Sequence, residues 1–282
     1  MSSASENVEI GTSGWSYKEW EGIFYPDSKT SKLKHYSRVF STAEVDSTFY
    51  AVPTKGLVFG WAKNTQENFE FSLKLPRTIT HEKKLKLGEG AEIDLKNFLA
   101  LLEPLRVARK LGPLLIQLPP SFNREANRED LEEFLRALPT KKKDGDYKFA
   151  IEFRNKSWLS DNDLHSLLSK YNVSNAIVDE PLMPVDLSVT SREFAFLRWH
   201  GRGKRPWYDY RYSEEELDPW VERVRKISTK TRKVYGYFNN HFHGNAVVNG
   251  LEFLEKLGTA TSVQKETLKE IEERRAQKQM TL

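Results

Sequence analysis

The sequence predicts an α/β barrel of eight parallel strands, the TIM-barrel fold. Three observations lead to this prediction. Short β-rich segments occur eight times, most of them alternate with segments of helical periodicity, and polar side chains recur on one face of the strands. The length of 282 residues suits one such barrel, so we expect residues 1–282 to form a single domain. A doubly wound open sheet is the competing fold that the same alternation allows.

Eight segments rich in β-branched and aromatic residues are predicted as strands. In chain order they are VEIGTSGW, AEVDSTFY, FEFSLKL, LLIQLPP, KFAIEFR, NAIVDE, FAFLRWHG and VYGYFNN. Most are separated by segments with apolar residues at helical spacing, which are LKHYSRVF, AEIDLKNFLALLEPLRVARKLG, REDLEEFLRAL, DNDLHSLLSKY, EEELDPWVERVRKI and AVVNGLEFLEKLG. Strands and helices therefore alternate, as crossover connections between parallel strands require.

The connection between the sixth and seventh strands interrupts this alternation. Its sequence, EPLMPVDLSVTSRE, is too short and too rich in proline for a full crossover helix. We therefore predict that the barrel lacks one crossover helix between strands 6 and 7. Near the end of the chain, the charged segment KETLKEIEERRAQKQ predicts a solvated helix or tail over residues 261–282.

The alternation of side chains along each strand predicts which residues face the barrel lumen. In KFAIEFR it places Glu152 and Arg154 on one face and Phe149, Ile151 and Phe153 on the other. The same test collects further polar residues on one face of the remaining strands: Glu44, Asp46, Thr48, Ser72, Lys74, Gln117, Asp179, Arg198, His200, Tyr237 and Asn239. Because the apolar faces pack on the helices, we expect this polar set in the lumen, near the C-terminal strand ends where barrel enzymes have their active sites.

Several motifs, spread over nearly the whole chain, resemble those of one protein family. They are IGTSGWSYKEW, FYP, AEVDSTFYAVP, FSLKLPRTITH, LGPLLIQLPPSF, AIEFRNKSW, LRWHGRG and YFNNHFHGNAVVN. The family is the domain of unknown function 72, also described as YecE-like. This resemblance implies a TIM barrel and kinship to sugar isomerases and to barrel endonucleases, and it does not fix an activity.

The predicted lumen set contains the residue types that acid/base chemistry on an anionic substrate needs. Lys74, Arg154 and Arg198 suit a phosphate or carboxylate, because guanidinium groups bind such oxyanions bidentately. The candidate acids and bases are Glu44, Glu152, Asp179 and His200, and Gln117 and Asn239 are suited to orient hydroxyl groups. A buried network of ion pairs that fixes strand register is the structural alternative.

Two aromatic loops extend the candidate binding site. After the first strand, Trp15 and Tyr17 could face a sugar or a base, or could pack in the core. After the seventh strand, GRGKRPWYDYRY interleaves basic residues with Trp207 and Tyr208. This pattern is typical of phosphate contact with base stacking, and equally of an ordinary surface loop.

A divalent metal is a further candidate ligand of the predicted site. The histidines that follow strands are His81, His200, His241 and His243, and together with the lumen acids they could bind Zn²⁺ or Mn²⁺. The sequence contains no close-spaced ligand motif, and the neighbouring cations would repel a metal ion. The cofactor therefore stays unassigned at this point.

We predict an acid/base enzyme that acts on a phosphate-bearing substrate, most plausibly by phosphodiester hydrolysis of nucleic acid. A sugar isomerase, a glycosidase-like enzyme and a non-catalytic module that binds nucleic acid or another anion remain alternatives. The sequence has no cysteine, no G-x-S-x-G elbow and no Walker loop, which argues against thiol, acyl-enzyme and nucleoside-triphosphate mechanisms. The net charge of +4 is compatible with an anionic small molecule or nucleic acid as partner, and the absence of an apolar span or recognisable signal sequence predicts a cytoplasmic location with no membrane partner.

Overall fold

Eight parallel strands form a closed barrel in the order β1 to β8, which confirms the predicted fold. The computed structural model describes residues 7–141, 145–160, 163–204 and 206–280. The strands are Val8–Ser13 (β1), Thr42–Val45 (β2), Glu70–Lys74 (β3), Leu111–Gln117 (β4), Phe149–Glu152 (β5), Val173–Asp179 (β6), Phe194–Trp199 (β7) and Lys233–Phe238 (β8). Strand β1 pairs with both β2 and β8, and this pairing closes the barrel.

Helices follow most of the strands. They are Lys32–Val39 (α1), Ser47–Tyr50 (α2), Lys55–Lys63 (α3), Ala91–Leu101 (α4), Glu103–Val107 (α5), Arg124–Ala137 (α6), Leu164–Lys170 (α7), Glu214–Ser228 (α8), Asn245–Leu257 (α9) and Ser262–Met280 (α10). Shorter 3₁₀ turns and one π turn, Thr78–Glu82, lie in the connections. Over the described part of the chain, no helix combines the length and the apolar character that crossing a bilayer would demand.

The connection from β6 to β7 contains no helix, which confirms the predicted gap in the alternation. Residues 180–193 form bends and irregular backbone, and Pro181 and Pro184 lie in the first part of this segment. Proline removes a backbone donor and restricts the residue before it, so this segment is poorly suited to a helix.

Apolar side chains fill the space on both sides of the strands. The helix-facing residues predicted from strand alternation, such as Leu73, Ile116 and Ile151, are fully buried in one large cluster with the helices. A second cluster fills the lumen, and its members are Leu115, Ala150, Ala176, Phe194, Phe196, Tyr235 and Tyr237. The lumen is therefore packed through its middle, as in other barrels of this class, and polar side chains occupy its C-terminal end.

Helix α10 lies in the segment predicted as a charged, solvated helix or tail over residues 261–282, and one side of it packs on the barrel. Leu268 and Ile271 are buried against the rest of the protein. Arg274 donates from Nη1 to the carbonyl oxygen of Ile23 at 2.9 Å, and Arg275 donates to the carbonyl oxygen of His243. The described part of this segment is thus a docked helix that contacts the loops after β1 and β8, while residues 281–282 lie outside the described residues.

Candidate active site

The C-terminal end of the lumen gathers polar side chains from five strands. Glu44 ends the lumen face of β2, Lys74 that of β3, Gln117 that of β4, Glu152 that of β5 and Arg198 that of β7. These positions agree with the alternation of side chains in the sequence. Their close approach follows from the closed barrel, because parallel strands bring all their carboxyl ends to the same rim.

Arg198 lies at the centre of this group and is fully buried. Its Nε and Nη2 donate to Glu44 Oε2 at 3.1 and 2.9 Å, its Nη1 donates to Glu152 Oε2 at 2.9 Å, and Nη2 also reaches Asp46 Oδ1 at 3.3 Å. All three guanidinium nitrogens therefore have acceptors inside the protein. This residue links β2, β5 and β7, and it has little capacity left for a ligand.

The buried carboxylate of Glu152 accepts hydrogen bonds from three side chains. Oε1 accepts from Gln117 Nε2 at 2.7 Å and from Arg154 Nε at 2.6 Å, in addition to the bond from Arg198 to Oε2. Burial by itself would raise the pKa of Glu152, but the charges of Arg154 and Arg198 outweigh it and hold this pKa well below its usual range. Glu152 is accordingly a fixed negative charge.

Glu44 contacts Arg198 as Glu152 does, but its pKa is shifted in the opposite direction. Burial raises the pKa of Glu44 to about 7 against the opposing charge of Arg198, and the nearby Asp46 adds to the rise. Its Oε2 also accepts from the hydroxyl of Ser13, whereas its buried Oε1 has no hydrogen-bond partner among the described residues. The unpaired oxygen is consistent with a carboxyl group that retains a proton near neutral pH.

Arg154 and His200 form the rim above these carboxylates. Arg154 donates to Glu180 as well as to Glu152, and its Nη2 lies 3.1 Å from His200 Nε2. Because a guanidinium group can only donate, His200 Nε2 must accept and the ring must be neutral. Burial and the charge of Arg198 together lower the pKa of His200 to about 4, in agreement with this assignment.

Lys74 differs from the other cations of the lumen. Its side chain is largely buried, its Nζ lies 4.0 Å from the centre of the Phe49 ring, and it forms no ion pair with the acidic residues that the structure describes. Burial lowers its pKa. An ammonium group held in this way is a natural site for an oxyanion.

His81 is brought beside Lys74 by the π turn Thr78–Glu82. Its ring packs edge-on against Phe49 at 4.7 Å, and its Nδ1 lies 2.9 Å from the hydroxyl of Thr80. Burial, together with the charges of Lys74, Arg77 and Arg154, lowers the pKa of His81 to about 4. The sequence marked His81 only as a histidine after a strand, and a π turn, a feature frequent at functional sites, has no clear sequence signal.

The predicted lumen position of Asp179 is wrong. In β6 the residues that face the lumen are Ala176 and Val178, and Asp179 shares the helix-facing side with Ile177. Its Oδ1 accepts from Arg202 Nη2 at 2.8 Å outside the lumen. The next residue, Glu180, takes the rim position and pairs with Arg154, and sequence reasoning missed it.

Trp15 and Tyr17, predicted together as substrate contacts, separate in the structure. Trp15 packs edge-on against Trp61 and Phe71 on the helix side of the barrel and does not join the lumen residues. Tyr17 stacks on His241 with ring centres 4.3 Å apart, and its hydroxyl donates to the carbonyl oxygen of Ser13. Of this pair, only Tyr17 lies next to the lumen group.

The basic and aromatic loop after β7 is partly tied to the protein itself. Arg202 pairs with Asp179, and Arg211 pairs with Glu252. Trp207 is half-buried, whereas Tyr208 is exposed and stacks on His241 with ring centres 5.3 Å apart. Arg205, which belongs to the same predicted phosphate-binding loop, lies outside the described residues.

The remaining predicted site residues are placed as follows. Gln117 Nε2 donates to Glu152, and the side-chain amide of Asn239 lies 2.8 Å from His200 Nδ1. His241 and His243 lie near Glu19 and Asp209 respectively, away from the lumen carboxylates. Within residues 7–141, 145–160, 163–204 and 206–280, no three His, Asp or Glu side chains are grouped so that they could hold a metal ion.

Comparisons with known proteins agree with this architecture. A family model described as "Protein of unknown function DUF72" matches residues 9–274. The UPF0759 protein YunF of Bacillus subtilis (strain 168) is 29% identical over 273 residues, which span 89% of this chain and 94% of YunF. The crystal structure of a DUF72 family protein from Thermotoga maritima is 33% identical, with a TM-score of 0.79 over 89% of this chain and 99% of that chain.

A more distant structural likeness extends to an enzyme. The crystal structure of an AP endonuclease, family 2, from Brucella melitensis has a TM-score of 0.53 and covers 88% of this chain and 98% of that chain. The sequence identity is 13%, so this likeness shows a shared barrel fold alone.

Proposed function

The chain belongs to the DUF72 family, and we propose that it is an acid/base enzyme that binds a phosphate-bearing substrate at the mouth of its barrel and hydrolyses a phosphodiester there. The proposal starts from which polar groups are accessible. Glu44, Glu152 and Arg198 are fully buried and bonded to one another, so they form the floor of the site. The groups above them are Asp46, Lys74, His81 and Arg154, which are less deeply enclosed.

The observation that carries the proposal is the ammonium group of Lys74. A charge removed from water costs several kcal/mol unless it is paired. Lys74 is only 8% exposed and forms no direct ion pair in the described part of the chain, and the charges of Asp46 and Glu152 act on it only from a greater distance. A bound phosphate would supply this partner, and Arg154, whose side chain is 18% exposed and whose Nη1 has a second N–H beyond its bond to Glu180, would contact a second oxygen.

The proposed reaction assigns two accessible groups to proton transfer. Asp46, held by Arg198, accepts a proton from water as the water oxygen forms its bond to phosphorus. As the bond from phosphorus to the leaving oxygen breaks, His81 donates a proton to that oxygen. The negative charge of the bound phosphate supports this role, because it favours the protonated ring and so opposes both the burial of His81 and the charges of Lys74, Arg77 and Arg154, which lower its pKa.

In this assignment the predicted catalytic residues Glu44, Glu152 and His200 act indirectly. Glu152 and His200 hold Arg154 in place, and Glu44 with Glu152 holds Arg198 beneath Asp46. They are positioning residues, because their deep burial keeps them from the proposed phosphate. Asp179 has no part in the reaction, since it lies on the other side of β6.

The binding step is tested by thermal unfolding with sodium phosphate and with sodium chloride at matched ionic strength. Phosphate should raise the melting temperature of the wild-type protein, because a ligand that binds only the native state stabilises it by mass action. Lys74→Met should remove this increase. Lys96→Met, which removes a positive charge from an exposed position on α4, should retain it.

The chemical step is tested with bis(4-nitrophenyl) phosphate, and a 4-nitrophenyl glycoside serves as the comparison. Hydrolysis of the phosphodiester that is lost in both Asp46→Asn and His81→Gln supports the proposal. Stabilisation by phosphate without hydrolysis indicates a binding module, and hydrolysis of the glycoside alone indicates a glycosidase-like enzyme. Absence of any stabilisation by phosphate contradicts the oxyanion site itself.

A further inference from the structure

A second cavity lies outside the lumen, where the barrel lacks its crossover helix. Its volume is about 260 Å³. Its walls are mainly apolar and come from the segment after β5, from helix α7 and from the connection between β6 and β7; they include Phe153, Trp158, Leu159, Leu164, Met183 and Val185. The short connection therefore covers the outside of β6 incompletely and leaves a partly open cavity.

The cavity extends toward the lumen because β5 and β6 separate after a few paired residues. Strand β5 pairs with β6 only from Phe149 to Ile151, opposite Val173 to Asn175. Beyond these pairs, Ala176 and Val178 line the cavity although their side chains belong to the lumen face. The cavity therefore reaches between β5 and β6 where the two strands are no longer paired.

One side of the cavity carries a histidine and an aspartate that contact each other. His165 Nε2 lies 2.7 Å from Asp186 Oδ2, and Asp186 also accepts from Asn175 Nδ2 at 3.1 Å and from the backbone N–H of Ser188 at 3.0 Å. A carboxylate that accepts these bonds orients the ring so that His165 donates through Nε2. In the neutral ring, Nδ1 is then left as a hydrogen-bond acceptor.

We propose that this cavity binds a small aromatic alcohol, with its ring against the apolar walls and its hydroxyl donating to His165 Nδ1. The size fits, because an apolar cavity of about 150 Å³ already holds benzene. The chemistry also fits, because Asp186, the carboxylate among the described residues that line the space, accepts hydrogen bonds from three donors and has little capacity left to bind a cation.

Occupancy of the cavity would also affect the end of β5. Phe153 lies in the cavity wall and packs against Trp158 with ring centres 4.9 Å apart, and the next residue is Arg154 at the lumen rim. A ligand that immobilises Phe153 therefore restrains the backbone that carries Arg154. The proposed binding itself is independent of the reaction proposed for the lumen.

The experiment is ¹⁹F NMR with 4-fluorophenol, and fluorobenzene is the matched probe without the hydroxyl. We expect the wild-type protein to bind 4-fluorophenol about five-fold more tightly than fluorobenzene, as one additional hydrogen bond allows. His165→Phe should bring the two affinities to the same value. Val185→Trp, which fills the cavity, should abolish binding of both probes without lowering the melting temperature.

Two results would overturn the inference. One is the absence of binding by 4-fluorophenol up to about 10 mM, the weak limit of specific affinity for so small a molecule. The other is binding that survives both Val185→Trp and Met183→Trp, because the probe would then occupy another site. The second variant also keeps the test decisive if the first one fails to fold.

Discussion

Replacing Glu152 by glutamine tests the charged floor of the site most directly. The change keeps the shape of the side chain but removes the negative charge that Arg154 and Arg198 both contact. Breaking one side of a buried ion pair costs about 3–5 kcal/mol. Arg198 retains Glu44 and Asp46, and Arg154 retains Glu180, so the fold should survive with reduced stability.

The expected change is large enough for thermal unfolding followed by circular dichroism. For a chain of this size, 1 kcal/mol corresponds to about 2–4 °C in melting temperature, so Glu152→Gln should lower it by on the order of 10 °C at pH 7. Glu132→Gln is the matched control, because Glu132 forms surface ion pairs on α6 and should change stability by less than about 1 kcal/mol. A melting temperature of Glu152→Gln within about 2 °C of the wild type would refute the buried network as described.

Four further outcomes are expected. Between pH 4.5 and 7 the native protein retains a proton on Glu44 that the unfolded chain releases, so Glu44 contributes on the order of 3 kcal/mol of stability at pH 4.5 that is lost as pH rises to 7, and urea titrations of the wild type and of Glu44→Gln should diverge by this amount over that range. The contribution of His200 has the opposite sign, because its ring is neutral in the native protein down to about pH 4 but gains a proton in the unfolded chain below about pH 6.5, so His200→Asn should lose less stability than the wild type as pH falls from 6.5 to 4. Gly11→Ala should prevent folding, because a Cβ there would meet the backbone oxygen of Thr42 at 2.1 Å, whereas Gly56→Ala, with open space around it, should fold normally as judged by gel filtration. If the loop after β7 binds single-stranded nucleic acid, affinity should fall with salt at a logarithmic slope of about 0.7 per phosphate contact, and Tyr208→Ala should weaken binding by about 1–3 kcal/mol with the slope unchanged; salt-insensitive or absent binding contradicts that prediction.

Strand alternation in the sequence was sufficient to predict most of the lumen. It succeeded for Glu44, Lys74 and Glu152 because each strand has one face without charged residues, and for Arg198 because the opposite face of β7 is apolar throughout while the lumen face turns polar only at its end, after Phe194 and Phe196. It failed for Asp179 because both faces of β6 carry apolar residues, as is usual for a parallel strand covered on both sides. In such a strand the pattern does not show which face is turned to the lumen, so Asp179 and Glu180 are equally good candidates for the position at the lumen rim.

The solvent accessibility of each polar side chain in the lumen could not be predicted from the sequence. Alternation predicts which face of a strand a side chain lies on, but not how deeply it is buried. Glu44 and Asp46 therefore looked equivalent in the sequence, although Glu44 is fully buried and Asp46 is partly exposed. The pairing of Arg198 with three acids and the isolation of Lys74 depend on contacts among β2, β3, β5 and β7. Such contacts join residues far apart in the chain, and local patterns do not encode them.

The pairing of β1 with β8 has a consequence for how the chain is synthesised. Val8 of β1 pairs with Val234 of β8, so one edge of the first strand has no partner until most of the chain has left the ribosome. During that time the nascent sheet presents an open edge and an uncovered apolar face, both of which promote aggregation. In a circular permutant that joins the two termini and begins in the surface connection between β6 and β7, β1 would be synthesised directly after β8. This permutant should give more soluble protein when chaperones are limiting.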